Sequence, residues 1–182
     1  KIIVLWDIML DKYLLGDVSR ISPEAPVQVV KVIKESFVPG GAANVASNVS
    51  SLGSKVYMVG IVGNDMEKDV LMRELKKRNI DAEGIFVDNS RPTTLKVRVL
   101  GRSQQLLRID YEKDSHSDRN LSENILSFIR SKISGVDAVI ISDYAKGVIN
   151  PGLASQLTEL VKANGKIIVV DPKPKHKSLY AN

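Results

Sequence analysis

The chain has 182 residues, of which 43% are hydrophobic and 26% charged, and it contains no cysteine. That length suits about one domain with a real core, and the missing cysteine excludes disulfides and thiolate metal sites and accords with a reducing compartment. The net charge of +5 comes from 26 basic and 21 acidic residues that are interleaved rather than gathered in a block, which favours a cleft for phosphorylated small molecules over a nucleic-acid surface.

No apolar run approaches the roughly 18 residues of a membrane span, and the apolar start is too short for the core of a signal peptide. A cytoplasmic location, with no membrane and no nucleic-acid partner, is the expectation. Residues 1–6 are a short apolar run and predict a buried strand, ended by Asp7. Asp7 and Asp11 then place two carboxylates at that strand's carboxyl end, the side of an open α/β sheet where ligands collect. Asp11 is the stronger candidate and Asp7 the weaker.

Residues 12–38 are punctuated by Gly16, Pro23 and Pro26 and are rich in β-branched side chains, so one or two strands outside the main sheet are expected. Pro39-Gly40-Gly41 opens a helix that runs to about Leu52 and stops at Gly53. Gly40 and Gly41 let a ligand approach the main chain, bare N–H groups at the helix start suit an oxygen-rich guest, and Asn44 adds a donor and an acceptor. A loop-to-helix junction in which the glycines serve only turn geometry is the plain alternative.

Residues 55–61 predict the next strand. Asn64 or Asp65 caps a helix to about Arg78, Asn79 ends it, and residues 82–87 return as a strand. This strand–helix–strand rhythm predicts parallel pairing. It breaks at Asp88: residues 93–99 alternate, and residues 105–111 follow across a turn containing Gly101, a hairpin expected to join the earlier outlying strands in a small second sheet. Asn120, with Glu123 three residues on, predicts a capped helix to about Gly135. Residues 137–141 predict a buried strand and residues 166–170 the last strand, on either side of a helix that starts at Asn150-Pro151 and stops at Asn164-Gly165.

The expected fold class is thus α/β, a mostly parallel sheet with helices on both faces plus a small β-sheet lid. Three polar clusters end three of the strands: Asp7 with Asp11, Ser142-Asp143-Tyr144-Ala145-Lys146-Gly147, and Asp171-Pro172-Lys173. On one rim, facing the Gly-Gly helix start, they predict a pocket. The hairpin adds Lys96, Arg98, Gln105 and Arg108. Lys96 and Arg98 share a strand face, where neighbouring cations repel unless an anion or an acid such as Asp110 or Glu112 lies between them. His116 and His176 are isolated, and no spacing suggests a metal site.

Gly40-Gly41, two alanines, Asn44, Ala46, Gly53 and Gly63 resemble the first signature of the ribokinase (PfkB) family of sugar kinases. Asp7-Ile8-Met9-Leu10-Asp11, Ser19-Arg20-Ile21-Ser22-Pro23-Glu24-Ala25-Pro26-Val27, Thr94-Leu95-Lys96-Val97-Arg98, Gln104-Gln105-Leu106-Leu107-Arg108-Ile109-Asp110 and the two later clusters are similar to its heptose-phosphate kinase branch, which serves ADP-heptose synthesis in bacteria.

The resemblance implies ATP-dependent phosphorylation of the anomeric hydroxyl of D-glycero-β-D-manno-heptose 7-phosphate, with ATP and Mg²⁺ as cofactors and a homodimer formed through the lid. It implies sugar contacts from Asp11, Gly40, Gly41, Asn44, Gln105 and Asp143. Lys96, Arg98 and Arg108 would lie near the sugar or its 7-phosphate, and Lys146 and Lys173 on the nucleotide-phosphate side. Trp6 stands where the family usually has glycine, and the family's Gly-Ala-Gly-Asp motif with its catalytic base is absent. The expectation is therefore that residues 1–182 are the N-terminal portion of one ribokinase-like kinase domain, with lid strands in about 12–38 and 91–111 and the base beyond Asn182. Another sugar or nucleoside kinase of the family, and a non-catalytic dimerising fragment, remain the alternatives.

Overall fold

The structure is a computed structural model that describes residues 1–102, 104–113 and 119–180. Its centre is a sheet in the order β5-β4-β1-β8-β9: β1 (Ile2–Trp6), β4 (Val56–Val62), β5 (Ile80–Val87), β8 (Ala138–Asp143) and β9 (Ile167–Pro172). Every adjacent pair in it is parallel. The helices α1 (Ala42–Ser51) and α2 (Met66–Lys77) cover one face, packing Ala43, Ala46, Leu71 and Leu75 on Val4, Val56 and Met58. On the other face, α3 (Arg119–Lys132) and α4 (Pro151–Ala163) pack Ile125, Ile129, Leu153 and Leu157 on Ile3, Leu5, Val59 and Val139. Alternate residues of β1 thus serve two cores, as a strand buried on both sides requires.

Local chemistry sets the helix ends. The Asp65 carboxylate caps α2 by accepting from Lys68 N at 3.0 Å, and Asn79 follows α2 with φ 55. Asn150 caps α4 by accepting from Leu153 N at 2.9 Å, with Pro151 as its first residue, and Gly165 with φ 63 lies just beyond its end. The start of α3 differs from expectation. Asn120 lies within the helix, which already includes Arg119, so it is not the cap.

The lid is a separate four-stranded sheet in the order β3-β2-β6-β7, built from β2 (Ile8–Ile21), β3 (Gln28–Gly41), β6 (Leu95–Gly101) and β7 (Gln104–Tyr111). The first hairpin is longer than residues 12–38, because β2 begins directly after Asp7 and β3 runs into Gly41. Asp7 is therefore the single residue between the central strand β1 and the lid. Leu10, Leu95 and Val97 join the same apolar cluster as α1 and α2, which fixes the lid root to the sheet.

Candidate functional site

The strands β1, β8 and β9 are neighbours and parallel, so their carboxyl ends share one edge. Each then delivers polar residues to the same place. The chain leaves β1 into the lid, β8 runs into Tyr144-Ala145-Lys146, and β9 runs into Lys173. Opposite them, Gly41 precedes α1 with φ 55, and no side chain caps that helix. A Cβ on Gly41 would lie 2.4 Å from the Asp7 carbonyl oxygen, and one on Gly40 would lie 2.5 Å from Asp11 Oδ2. Gly41 therefore allows a backbone approach that any side chain would block, and Gly40 leaves the room that the Asp11 carboxylate takes.

Between lid and sheet edge lies a cavity of about 570 Å³. Its floor is Gly40, Gly41 and Asn44, and its lid wall carries Asp11, Tyr13, Lys96, Arg98, Arg108 and Asp110. Tyr144, Lys146 and Lys173 close the sheet side, with Glu112 between the walls. Of the residues singled out from sequence, Asp11, Gly40, Gly41, Asn44, Lys96, Arg98, Arg108, Lys146 and Lys173 come together here, whereas Gln105 and Asp143 do not line the cavity. Residues 19–27 form the tip region of the first hairpin, and none of them lines it either.

The lid register explains the charge pattern. Asp11, Lys96 and Asp110 are partners in one row across β2, β6 and β7, and Tyr13, Arg98 and Arg108 in the next. Lys96 Nζ donates to Asp110 at 2.9 Å and to Glu112 at 3.2 Å, Arg108 Nε donates to Asp110 at 2.9 Å, and Arg98 is ion-paired with Asp11. Acids thus separate the stacked cations, as the alternation of β6 requires. Partial burial raises the carboxyls of Glu112 and Asp110, but hydrogen bonds outweigh it, from Lys146 and Lys96 to the first and from Lys96 and Arg108 to the second. Both stay below the usual range. Five cations face three carboxylates in the lining, leaving a positive surplus for an anionic guest.

Asp143 is buried and turned away from the cavity. Its carboxylate meets His176 Nδ1 at 2.7 Å, accepts from Tyr180 Oη at 3.0 Å and accepts from Ala145 N at 2.8 Å. His176, isolated in sequence, is therefore partnered in space, while His116 lies outside the described residues. Tyr13 was not anticipated. Once β2 is known to start at Ile8, the period of two places it on the Asp11 face, beneath the Arg98 guanidinium at 5.5 Å. Among the described residues no group of three or more His, Asp or Glu side chains has metal-binding geometry, and no helix is long and apolar enough to cross a membrane.

The sequence profile of the pfkB family carbohydrate kinases matches residues 1–182. The chain belongs to this pfkB family. It is 46% identical over 182 residues to the bifunctional protein HldE of Helicobacter pylori (strain G27), covering 100% of this chain and 39% of that protein. It is 43% identical over 180 residues to the protein of the same name from Desulfatibacillum aliphaticivorans, covering 99% of this chain and 37% of that one. The pfkB chain thus spans less than half the length of these relatives. In fold it is similar to Arabidopsis thaliana ribokinase complexed with ribose and ATP, with a TM-score of 0.64 at 18% identity, covering 93% of this chain and 52% of that one.

Proposed function

We propose that this chain forms the sugar-binding part of an ATP-dependent kinase. Its substrate is D-glycero-β-D-manno-heptose 7-phosphate, and the anomeric hydroxyl receives the γ-phosphoryl group, giving the 1,7-bisphosphate for ADP-heptose and lipopolysaccharide core synthesis. The observation that carries this reading is the row in which Arg98 and Arg108 stand opposite each other on the lid, above a glycine-floored cavity with a cationic surplus. Asp11 and Asp110 each answer one of these arginines, the lining as a whole keeps its cationic surplus, and guanidinium groups suit phosphate because each donates two parallel hydrogen bonds. The kinship with two HldE proteins supports the same substrate class.

In this reading Asp11, Gly40, Gly41 and Asn44 hold sugar hydroxyls, Arg98 and Arg108 the 7-phosphate, and Lys146 and Lys173 the ATP phosphates. The two lysines fit that group, since both reach the cavity from the sheet edge and Lys173 Nζ lies only 5.4 Å from the Tyr144 ring centre. Mg²⁺, when bound with ATP, would neutralise the charge of its phosphates. Transfer of this kind depends on positioning and charge, so the work of these residues is to orient the acceptor hydroxyl and exclude water. The general base is proposed to lie in the protein beyond Asn182. A homodimer through the lid belongs to the proposal and is supported by the exposed apolar side chains Ile21, Val27, Ile33 and Leu107 on the lid.

The test is ADP release by the full-length protein with Mg²⁺–ATP and a panel of acceptors. Heptose 7-phosphate should be turned over at the highest kcat/KM. Preference for an unphosphorylated sugar or a nucleoside would replace this reading with another kinase of the family.

A further inference from the structure

Asp7 is 3% exposed and does not line the cavity, yet it touches both of its walls. Its backbone carbonyl accepts from Ala42 N, the first residue of α1, at 3.0 Å. Its Oδ2 accepts from Tyr144 N at 2.7 Å and from Lys146 N at 3.2 Å. Between those two residues stands Ala145 with φ 59, a left-handed conformation unusual for a residue with a side chain. A left-handed residue in such a turn points backbone N–H groups to one side and makes a concavity for an anion. Here the Asp7 carboxylate fills that concavity from the protein side. The side chains of Tyr144 and Lys146 leave the same turn for the cavity, where Lys146 Nζ donates to Glu112 Oε1 at 2.7 Å.

A helical or extended turn would not need this partner. The strained one does, because two main-chain donors beside a buried acid would otherwise lose their acceptor. The second oxygen, Asp7 Oδ1, is buried with no partner among the described residues. The charged and titratable groups that bear on Asp7 are Asp143, Lys146 and Tyr180. Burial pushes its carboxyl up to about 6, against the lowering effect of the Lys146 and Tyr144 N–H groups. Its charge therefore changes close to neutral pH, and with it the strength of both bonds to the turn.

We propose that Asp7 is a positioning residue for phosphoryl transfer: through the main chain of residues 144–146 it holds Lys146 in the cavity, while its carbonyl fixes the start of α1 on the opposite wall. This rests on the kinase reading above. Asp7 touches no substrate in this arrangement and acts through Lys146.

The experiment compares wild type, D7A, D7N, K146A and the D7A/K146A double variant in the full-length protein. D7A should lower kcat/KM for the sugar phosphate by between about 10- and 100-fold, the scale of a misplacement of about 1 Å. In the K146A background the same change should cost less than about threefold, because coupled residues are not additive. D7N, which keeps one acceptor oxygen and loses the charge, should lose less than D7A does. Equal D7A losses in both backgrounds, or a D7N loss as large as that of D7A, would overturn the proposal. If the wild-type protein turns over no sugar phosphate, the kinase reading fails and amide exchange decides for Asp7. Exchange of Tyr144 N–H and Lys146 N–H at least about tenfold faster in D7A than in wild type, with D7N in between, supports its hold on the turn; unchanged exchange overturns it.

Discussion

Arg98 is ion-paired with Asp11, although the cross-strand partner of Asp11 is Lys96 and that of Arg98 is Tyr13. The diagonal reach is possible because Lys96 is already engaged by Asp110 and Glu112 on its other side. It draws the Arg98 guanidinium toward the cavity floor, where Gly40 leaves room for Asp11. The lid thus offers an arginine pair above a carboxylate at the cavity floor.

The first expectation follows from that pair. Arg108→Ala should raise KM for the sugar 7-phosphate by about 10- to 100-fold, the loss of one charge-assisted contact, with little change in KM for ATP. An unphosphorylated sugar should be nearly indifferent to the change. Steady-state kinetics with both acceptors checks this, and an equal effect on the two would take the phosphate away from the lid.

Glycines at two helix ends should respond differently to a methyl group. At Gly41, Gly41→Ala combines a positive φ of 55 with a Cβ 2.4 Å from the Asp7 carbonyl oxygen. A loss of about 3 kcal/mol or more is expected, with loss of sugar binding. At Gly53, Gly53→Ala meets only the strain of φ 88, since nothing lies within 4 Å of the added atom, and should cost about 1 kcal/mol. Urea unfolding of the two variants measures the difference.

Asp7 makes stability depend on pH with a definite sign. Its folded carboxyl is raised to about 6 from 3.8, so between those values the native state keeps a proton that the unfolded chain has released. Stability from this group is therefore greatest below the unfolded value and falls as pH rises, the loss being complete above about pH 6. Wild type should lose on the order of 2–3 kcal/mol relative to Asp7→Asn between about pH 4 and pH 7. Paired urea titrations at the two pH values would show it, and a constant difference would contradict it.

The lid should hold two copies together. Ile33 is 72% exposed and Ile21 60% exposed on the lid hairpin, and neither lines the cavity. Ile33→Asp should shift the full-length protein from dimer to monomer in sedimentation velocity. A wild-type protein that is monomeric at every concentration would remove the dimer from the account.

Much of this was legible where local chemistry decides. Asp65, Asn79, Asn150-Pro151 and Gly165 mark helix ends because each satisfies or breaks backbone hydrogen bonds within a few residues. The alternation of Lys96 and Arg98 announced a shared face in the same way. The start of β2 was not legible, because Ile8-Met9-Leu10 reads equally well as a loop after β1 and becomes strand only by pairing with Pro39, Gly40 and Gly41. Asp143 and Gln105 carry no local mark of where they point. The first is turned by His176 and Tyr180, 33 and 37 residues away in sequence, and the second sits on β7 outside the lining. The service of Asp7 to the turn at Ala145 spans 137 residues between Asp7 and Tyr144, and nothing short of the tertiary fold displays it.

The central claim is a chemical one, that the lid cations hold a phosphate already on the sugar while a hydroxyl at the other end receives a second. Phosphorus NMR of the reaction of the full-length protein with Mg²⁺–ATP and heptose 7-phosphate reads this directly. The account predicts a new anomeric phosphate signal growing as ADP forms, with the 7-phosphate signal retained. A product phosphorylated at any other position, or turnover that proceeds only when the 7-phosphate is absent, would contradict it.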